Sequence, residues 1–169
     1  MDKRHLLLFF LMLISAITRL IPHPPNFTPI IAIALFSGIK CKNKSLALLL
    51  PLLAMFLSDM VIGFHSSMIW VYSSILVITI CSTYFTSSLK NIFGGVLSGC
   101  VLFFIVTNFG VWISSAMYTK DIVGLANCFI AAVPFAQNSI IGNLFYSVIM
   151  FSLFGLIERK IIKIPNFSI

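Results

Sequence analysis

The sequence predicts an all-α polytopic membrane protein. It has six transmembrane helices, both termini cytoplasmic, and a short second helix preceded by a proline-rich outer loop. Three observations predict this. Of 169 residues, 60% are hydrophobic and 9% charged, with a mean hydropathy of +1.10; a soluble domain is about 45–50% apolar and 25% charged. Six apolar segments follow one another, and roughly 20 apolar residues make one crossing. The cations fall almost entirely on one side of those segments. The composition excludes a soluble enzyme, a disordered chain and a free nucleic-acid-binding domain. Linkers, low-complexity runs and charge blocks are all missing, so residues 1–169 read as a single transmembrane domain.

The segments are His5–Ile21, Pro29–Ile39, Ser45–Phe64, Met68–Phe85, Ile92–Ile113 and Phe135–Ile157. Cationic loops stay in the cytoplasm during insertion. With the N-terminus inside, the inner side holds Lys3, Arg4, Lys40, Lys42, Lys44, Lys90, Arg159, Lys160 and Lys163, and the outer side holds Arg19 and Lys120. That split of nine against two accounts for all eleven cations. The net charge of +7 is therefore read as topology rather than affinity for nucleic acid.

The first segment also has the form of a signal peptide, with Asp2-Lys3-Arg4 ahead of an apolar run and Ser15-Ala16 after it. Arg19 follows at once, and cleavage would leave the rest with its N-terminus outside. An inner-face anchor is the simpler reading. The linker after helix one, Arg19 to Pro29, contains Pro22, Pro24, Pro25 and Pro29, four prolines in eight residues that cannot be helix interior. Its backbone must face protein or water rather than lipid. Asn26 or Thr28 is placed to cap the second helix, with Pro29 at its first turn. At about eleven residues that helix spans roughly 16 Å, half a bilayer core. Its N-terminus would lie below the outer surface, where free N–H groups suit an anionic or carbonyl ligand.

Polar groups within apolar segments mark sites, because lipid makes them costly. Of the four acids, Asp2, Asp59, Asp121 and Glu158, only Asp59 lies within a membrane segment. It sits at a depth comparable with Arg19, and an Arg–Asp pair would neutralise both; contact with a charged substrate is the alternative. Asn108 and Trp112 are four apart and share a face near the outer end of helix five, with Thr107 beside them. Trp70 and Tyr72, at the outer start of helix four, read as interface-belt anchors. Gln137, Asn138 and Asn143 descend helix six without sharing one face. His23 and His65 are both outer, while His5 is inner. With Asp59 they compose a possible metal donor set, but the spacing matches no defined motif and no metal or other cofactor is expected.

Absences constrain the chemistry. The sequence contains no nucleotide-binding Gly-x-x-x-x-Gly-Lys loop, no Gly-x-Ser-x-Gly and no His-Glu-x-x-His. With a single intramembrane carboxylate, an enzyme is not expected. The four cysteines, Cys41, Cys81, Cys100 and Cys128, share no oxidising compartment and form neither a disulfide framework nor a zinc motif. Small residues mark close packing: Gly95 and Gly99 form a Gly-x-x-x-Gly pair, and Ala34 and Gly38 are also four apart. Either the bundle interior or another membrane subunit would use them. The two three-helix halves share no evident motif.

The run Arg19 to Pro29, continuing through Ala32 to Gly38, resembles a family of small bacterial membrane proteins labelled as transport proteins. Ser58 to His65, Thr107 to Trp112, and Gly124-Leu125 through Pro134-Phe135 carry the same resemblance over nearly the whole chain. The position of Asn143 is often acidic in that family. The family is in turn similar to the six-helix S components of energy-coupling-factor (ECF) transporters, a likeness at the level of fold. The resemblance implies an inner-membrane protein that captures a small solute, vitamin-like or a metal ion, from the outer side. Uptake would then depend on a separate transmembrane coupling subunit and two ATPases. Substrate-binding candidates are Arg19, His23, Asn26, Thr28, Asp59, His65, Asn108, Trp112, Gln137 and Asn138. Alternatives are a membrane assembly factor without a solute, or a self-contained oligomeric carrier.

Overall fold

The computed structural model describes residues 3–162, so Asp2 and Lys163 lie outside the described residues. Among the described residues the regular elements are all helices, with no strand: α1 (Lys3–Ile17), a 3-10 turn (Thr18–Leu20), α2 (Ile30–Lys40), α3 (Lys44–Ile62), α4 (Met68–Ser82), α5 (Leu89–Ser114) and α6 (Ile122–Ile162). Among these, α3, α5 and α6 are long and apolar enough to cross a membrane, and α2 and α4 are shorter apolar helices. Large apolar side chains such as Leu49, Ile69, Ile130 and Val148 stay exposed on the outside of the bundle. A surface of that kind suits lipid rather than water.

The bundle is organised around α2. Its sequence, Ile30-Ile-Ala-Ile-Ala-Leu-Phe-Ser-Gly-Ile-Lys40, is apolar on every face, and a helix of that kind has to be surrounded. Residues Ile31 to Gly38 are all buried, and α1, α3, α4, α5 and α6 each touch the helix. It divides the core in two. On one side Ile33 and Phe36 pack with Leu8, Met12 and Phe154. On the other, Ile31 and Leu35 pack with Met55, Ile75, Ile78 and Val96.

The small residues serve this arrangement. A Cβ at Gly95 would meet Leu35 at 2.6 Å, and one at Gly99 would meet Ile31 at 2.7 Å. The Gly-x-x-x-Gly pair therefore lets α5 approach α2 inside the bundle and is not a free face for another subunit. Ser37 adds a polar tie by donating to the Ala47 carbonyl of α3 at 2.8 Å.

The start of α2 departs from the sequence reading. Neither Asn26 nor Thr28 caps it; Pro29 holds the cap position without a side-chain hydrogen bond. The cap comes instead from α6. Asn143, 1% exposed, accepts from the N–H groups of Ile31 and Ala32, both at 2.9 Å. The first turn of a helix has no partners of its own for these groups. Proline at the cap position carries no acceptor for them, whereas Asn143 reaches them from across the core. Its amide nitrogen donates to the Ser139 carbonyl at 2.8 Å, which fixes the rotamer. The first-turn N–H groups expected to receive a ligand are thus occupied.

Helix α6 also begins earlier than expected. Residues 122–134, read from the sequence as an outer loop, are helical, and Pro134 lies within the helix. The carboxylate of Asp121 accepts the Gly124 N–H at 2.7 Å and the Thr119 hydroxyl at 2.8 Å. These bonds hold its carboxyl below the usual range and supply an N-cap that the apolar count had missed. Cys128 is consequently a buried helical residue whose thiol donates to the Asn108 carbonyl at 3.4 Å. At the other end of the chain, Arg4 Nε donates to Glu158 at 2.8 Å, so the start of α1 and the end of α6 lie together.

Replacing Asn143 with Leu should leave two buried N–H groups without an acceptor. Each such group costs about 1–3 kcal/mol. Thermal unfolding in detergent should show a loss on that scale, larger than that of Asn127→Leu on the exposed face of the same helix. Equal stability of the two variants would show that the cap is dispensable.

Candidate functional site

A cavity of about 570 Å³ lies between the Arg19–Ile30 segment, the facing ends of α3 and α4, and one side of α5 and α6. The proline-rich linker forms one wall, and its position follows from local chemistry. Four prolines deny it a helix. Its turn is closed by Phe27 N–H donating to the Pro24 carbonyl at 3.0 Å, with Asn26 in left-handed backbone at φ 63°. Asparagine tolerates that conformation better than most residues. On α6, Asn138 donates to the Pro25 carbonyl at 3.0 Å. Gly142 then lets the linker settle, since a Cβ there would lie 3.1 Å from Phe27 Cα. The Phe27 ring packs beside Phe145 and Tyr146.

Arg19 enters from the 3-10 turn after α1 and lines the cavity with 10% of its side chain exposed. Its Nη2 lies 2.9 Å from Asp59 Oδ1, and Asp59 is 1% exposed. Nη1 donates to Ser58 Oγ and to Met55 Sδ. The second carboxylate oxygen of Asp59 accepts from Tyr72 OH at 2.9 Å. The sequence reading of a paired Arg19 and Asp59 is realised. The result is a network joining the end of α1, α3 and α4, in which the buried Asp59 charge is balanced by Arg19 and one of its oxygens is hydrogen-bonded by Tyr72.

Six of the ten sequence candidates line the cavity: Arg19, His23, Asn26, Thr28, His65 and Asn108. The other four do not. Asp59 stands behind Arg19. Trp112 donates its indole N–H to the Thr119 carbonyl at 2.9 Å and lies under the Lys120 ammonium. Neighbouring Val111 and Thr107 take the lining positions on α5. Asn138 acts through the linker, and Gln137 is exposed on α6. His23 and His65 share the cavity but do not converge with Asp59; among the described residues no three metal-ligating side chains cluster.

Sequence reasoning missed several members. Tyr72 was read as a belt anchor, yet its hydroxyl belongs to the Asp59 network. Phe103, Phe104 and Phe135 give the cavity aromatic walls, and Ser67 and Ser139 add hydroxyls. The phenylalanines carried no signal in a chain that contains 17 of them.

Residues 1–166 match a family described as a family of unknown function, DUF6580. The chain belongs to the DUF6580 family. No curated protein and no solved structure matches it. Within this DUF6580 chain the lining is mixed in the manner of small-molecule sites, with apolar and aromatic walls and a few polar groups.

The ion pair makes a measurable prediction. Arg19→Gln and Asp59→Asn should each lose about 3–5 kcal/mol, because each leaves a buried charge uncompensated. The double variant should lose less than the sum, as read by thermal unfolding in detergent. Strictly additive losses would mean that the two charges are not coupled.

Proposed function

We propose that this protein is the solute-binding subunit of a membrane uptake system, similar to the S components of energy-coupling-factor transporters. The observation that carries the reading is the cavity itself. About 570 Å³ between the linker and α3 to α6 is left unfilled by side chains. That volume falls within the range of about 300–1,000 Å³ used by small-molecule sites. A protein whose helices served only to hold a partner would have no reason to keep this space open. The lining stops at Cys100 and Ile140 and includes none of the cations near Glu158. A site confined to one end of the bundle suits capture on one side, with release dependent on partners. The sequence carries no nucleotide-binding loop, so the energy for uptake would come from a coupling subunit and its ATPases.

In this reading the helices make six crossings of a bacterial inner membrane, with both termini cytoplasmic and the cavity facing outward. The pairing of Arg4 with Glu158 at one end of the bundle supports an even number of crossings. The segregation of Lys and Arg supports the orientation. A reporter fused after Ile169 should be active in the cytoplasm, and a cysteine replacing Lys120 should react with an impermeant reagent from outside. Periplasmic activity of the fusion would overturn the topology.

Binding is tested on protein extracted gently and examined by native mass spectrometry for a co-purified small molecule. The variants Asn26→Gly and Asn108→Ala should reduce its occupancy while keeping the unfolding temperature. Glycine is chosen at position 26 because it keeps the left-handed backbone free of strain. Loss of one neutral hydrogen bond weakens binding by about 1 kcal/mol, or roughly fivefold. Unchanged occupancy in both variants would remove the polar rim from the site.

A further inference from the structure

The polar groups of the cavity are distributed unevenly, and their distribution selects a class of ligand. Among the described residues no carboxylate lines the cavity, because Asp59 is sealed behind Arg19. The groups able to carry positive charge are Arg19, His23 and His65, all from the linker side and the α3–α4 loop. The α5 wall is different. Thr107 donates its hydroxyl to the Phe103 carbonyl at 2.7 Å, so it offers the cavity only lone pairs, and Phe103 and Phe104 supply aromatic surface beside it. The cavity therefore has a cationic pole and a mainly apolar, aromatic pole, whose polar groups on α5 are Thr107 and Asn108, the latter with one amide N–H donated to the Phe104 carbonyl at 2.7 Å.

Arg19 is not exhausted by its protein partners. A guanidinium has five N–H donors. Nη1 is engaged by Ser58 and Met55, and Nη2 lies 2.9 Å from Asp59 Oδ1 as an ion pair. Neither Nε–H nor Nη2 donates a hydrogen bond among the described residues. Those two form the side-on fork that matches a carboxylate in two parallel hydrogen bonds. Asp59 meanwhile keeps the guanidinium from being an unpaired buried charge when the cavity is empty, so the fork is held ready.

The geometry points to a monoanionic ligand, a carboxylate carried on an apolar and preferably aromatic body, with the carboxylate on Arg19 and the body against Phe103 and Phe104. This deepens the solute-binding reading and rests on it. Cations are disfavoured by the same lining because of Arg19.

The test uses matched probes on the full chain in phosphatidylcholine nanodiscs, with empty nanodiscs correcting for partition. The probes are 5-phenylpentanoate, 5-phenylpentanamide and 5-phenylpentylamine, and binding is read by isothermal titration calorimetry. Laurate tests whether the same carboxylate chemistry comes from the bilayer instead. The carboxylate should bind more tightly than the amide by about tenfold or more, since hydrogen bonds to charged groups are the stronger ones. The amine should not bind. In Arg19→Gln/Asp59→Asn, which removes both charges together and so protects the fold, the advantage of the carboxylate over the amide should disappear. Laurate matching 5-phenylpentanoate supports the inference with a lipid-derived ligand. Amide or amine binding as tightly as the carboxylate overturns the anion inference and leaves the solute site standing. A carboxylate preference that survives in the double variant overturns the role of Arg19. Failure of every probe at millimolar concentration overturns the solute site as well.

Discussion

Two backbone N–H groups at the start of α2, held by Asn143, are the point on which the architecture depends. In an apolar interior a backbone donor without a partner is costly, and the first turn of a helix always has such donors. A longer helix would carry its first turn out to water. Helix α2 has only eleven residues and is wrapped on all sides, so its N-terminus ends inside the bundle. Asn143 makes that ending tolerable. Once α2 can stop there, the chain before it must travel back to the end of the bundle in non-helical form. The proline-rich linker does this, and the space it leaves beside α5 and α6 is the cavity.

The same economy governs charge. A cation that faces a ligand cavity among apolar helices would be unfavourable alone. Arg19 is balanced by Asp59, and Asp59 is completed by Tyr72. The three side chains tie the end of α1 to α3 and α4, so the network that neutralises the arginine also braces the cavity rim. One residue thereby has two roles, since Arg19 both closes a structural ion pair and keeps donors available to the cavity. The structure shows the pair that the sequence posed as one choice, and a guanidinium has more donors than that pair uses.

Polar residues that look alike in sequence are used differently. Asn26 shapes a turn through its left-handed backbone, Asn138 anchors the linker carbonyl, Asn143 caps a helix, and Asn108 lines the cavity. Trp112 and Lys120 lock the loop ahead of α6, where Asp121 starts that helix. Most polar groups in the apolar segments satisfy the protein's own backbone, and the residue left over is the cavity lining.

What the sequence by itself determined was local. Hydropathy is a sum over neighbouring residues, so the existence and order of the helices were legible, as was the non-helical linker, because proline acts on its own turn. The Arg19–Asp59 pair was also legible, since two rare charges of opposite sign at similar depth have few other partners. The tertiary structure alone decided which side chain meets which across the core. Asn143 lies 111 and 112 residues from the groups it caps, and nothing local distinguishes it from Gln137 or Asn138. Tyr72 carried the signature of a belt aromatic, and its hydroxyl found Asp59 only because α4 packs beside α3. The aromatic walls were hidden in a phenylalanine-rich chain for the same reason: composition fixes that a face is apolar, while packing fixes which apolar faces close on each other and which are left apart around a cavity.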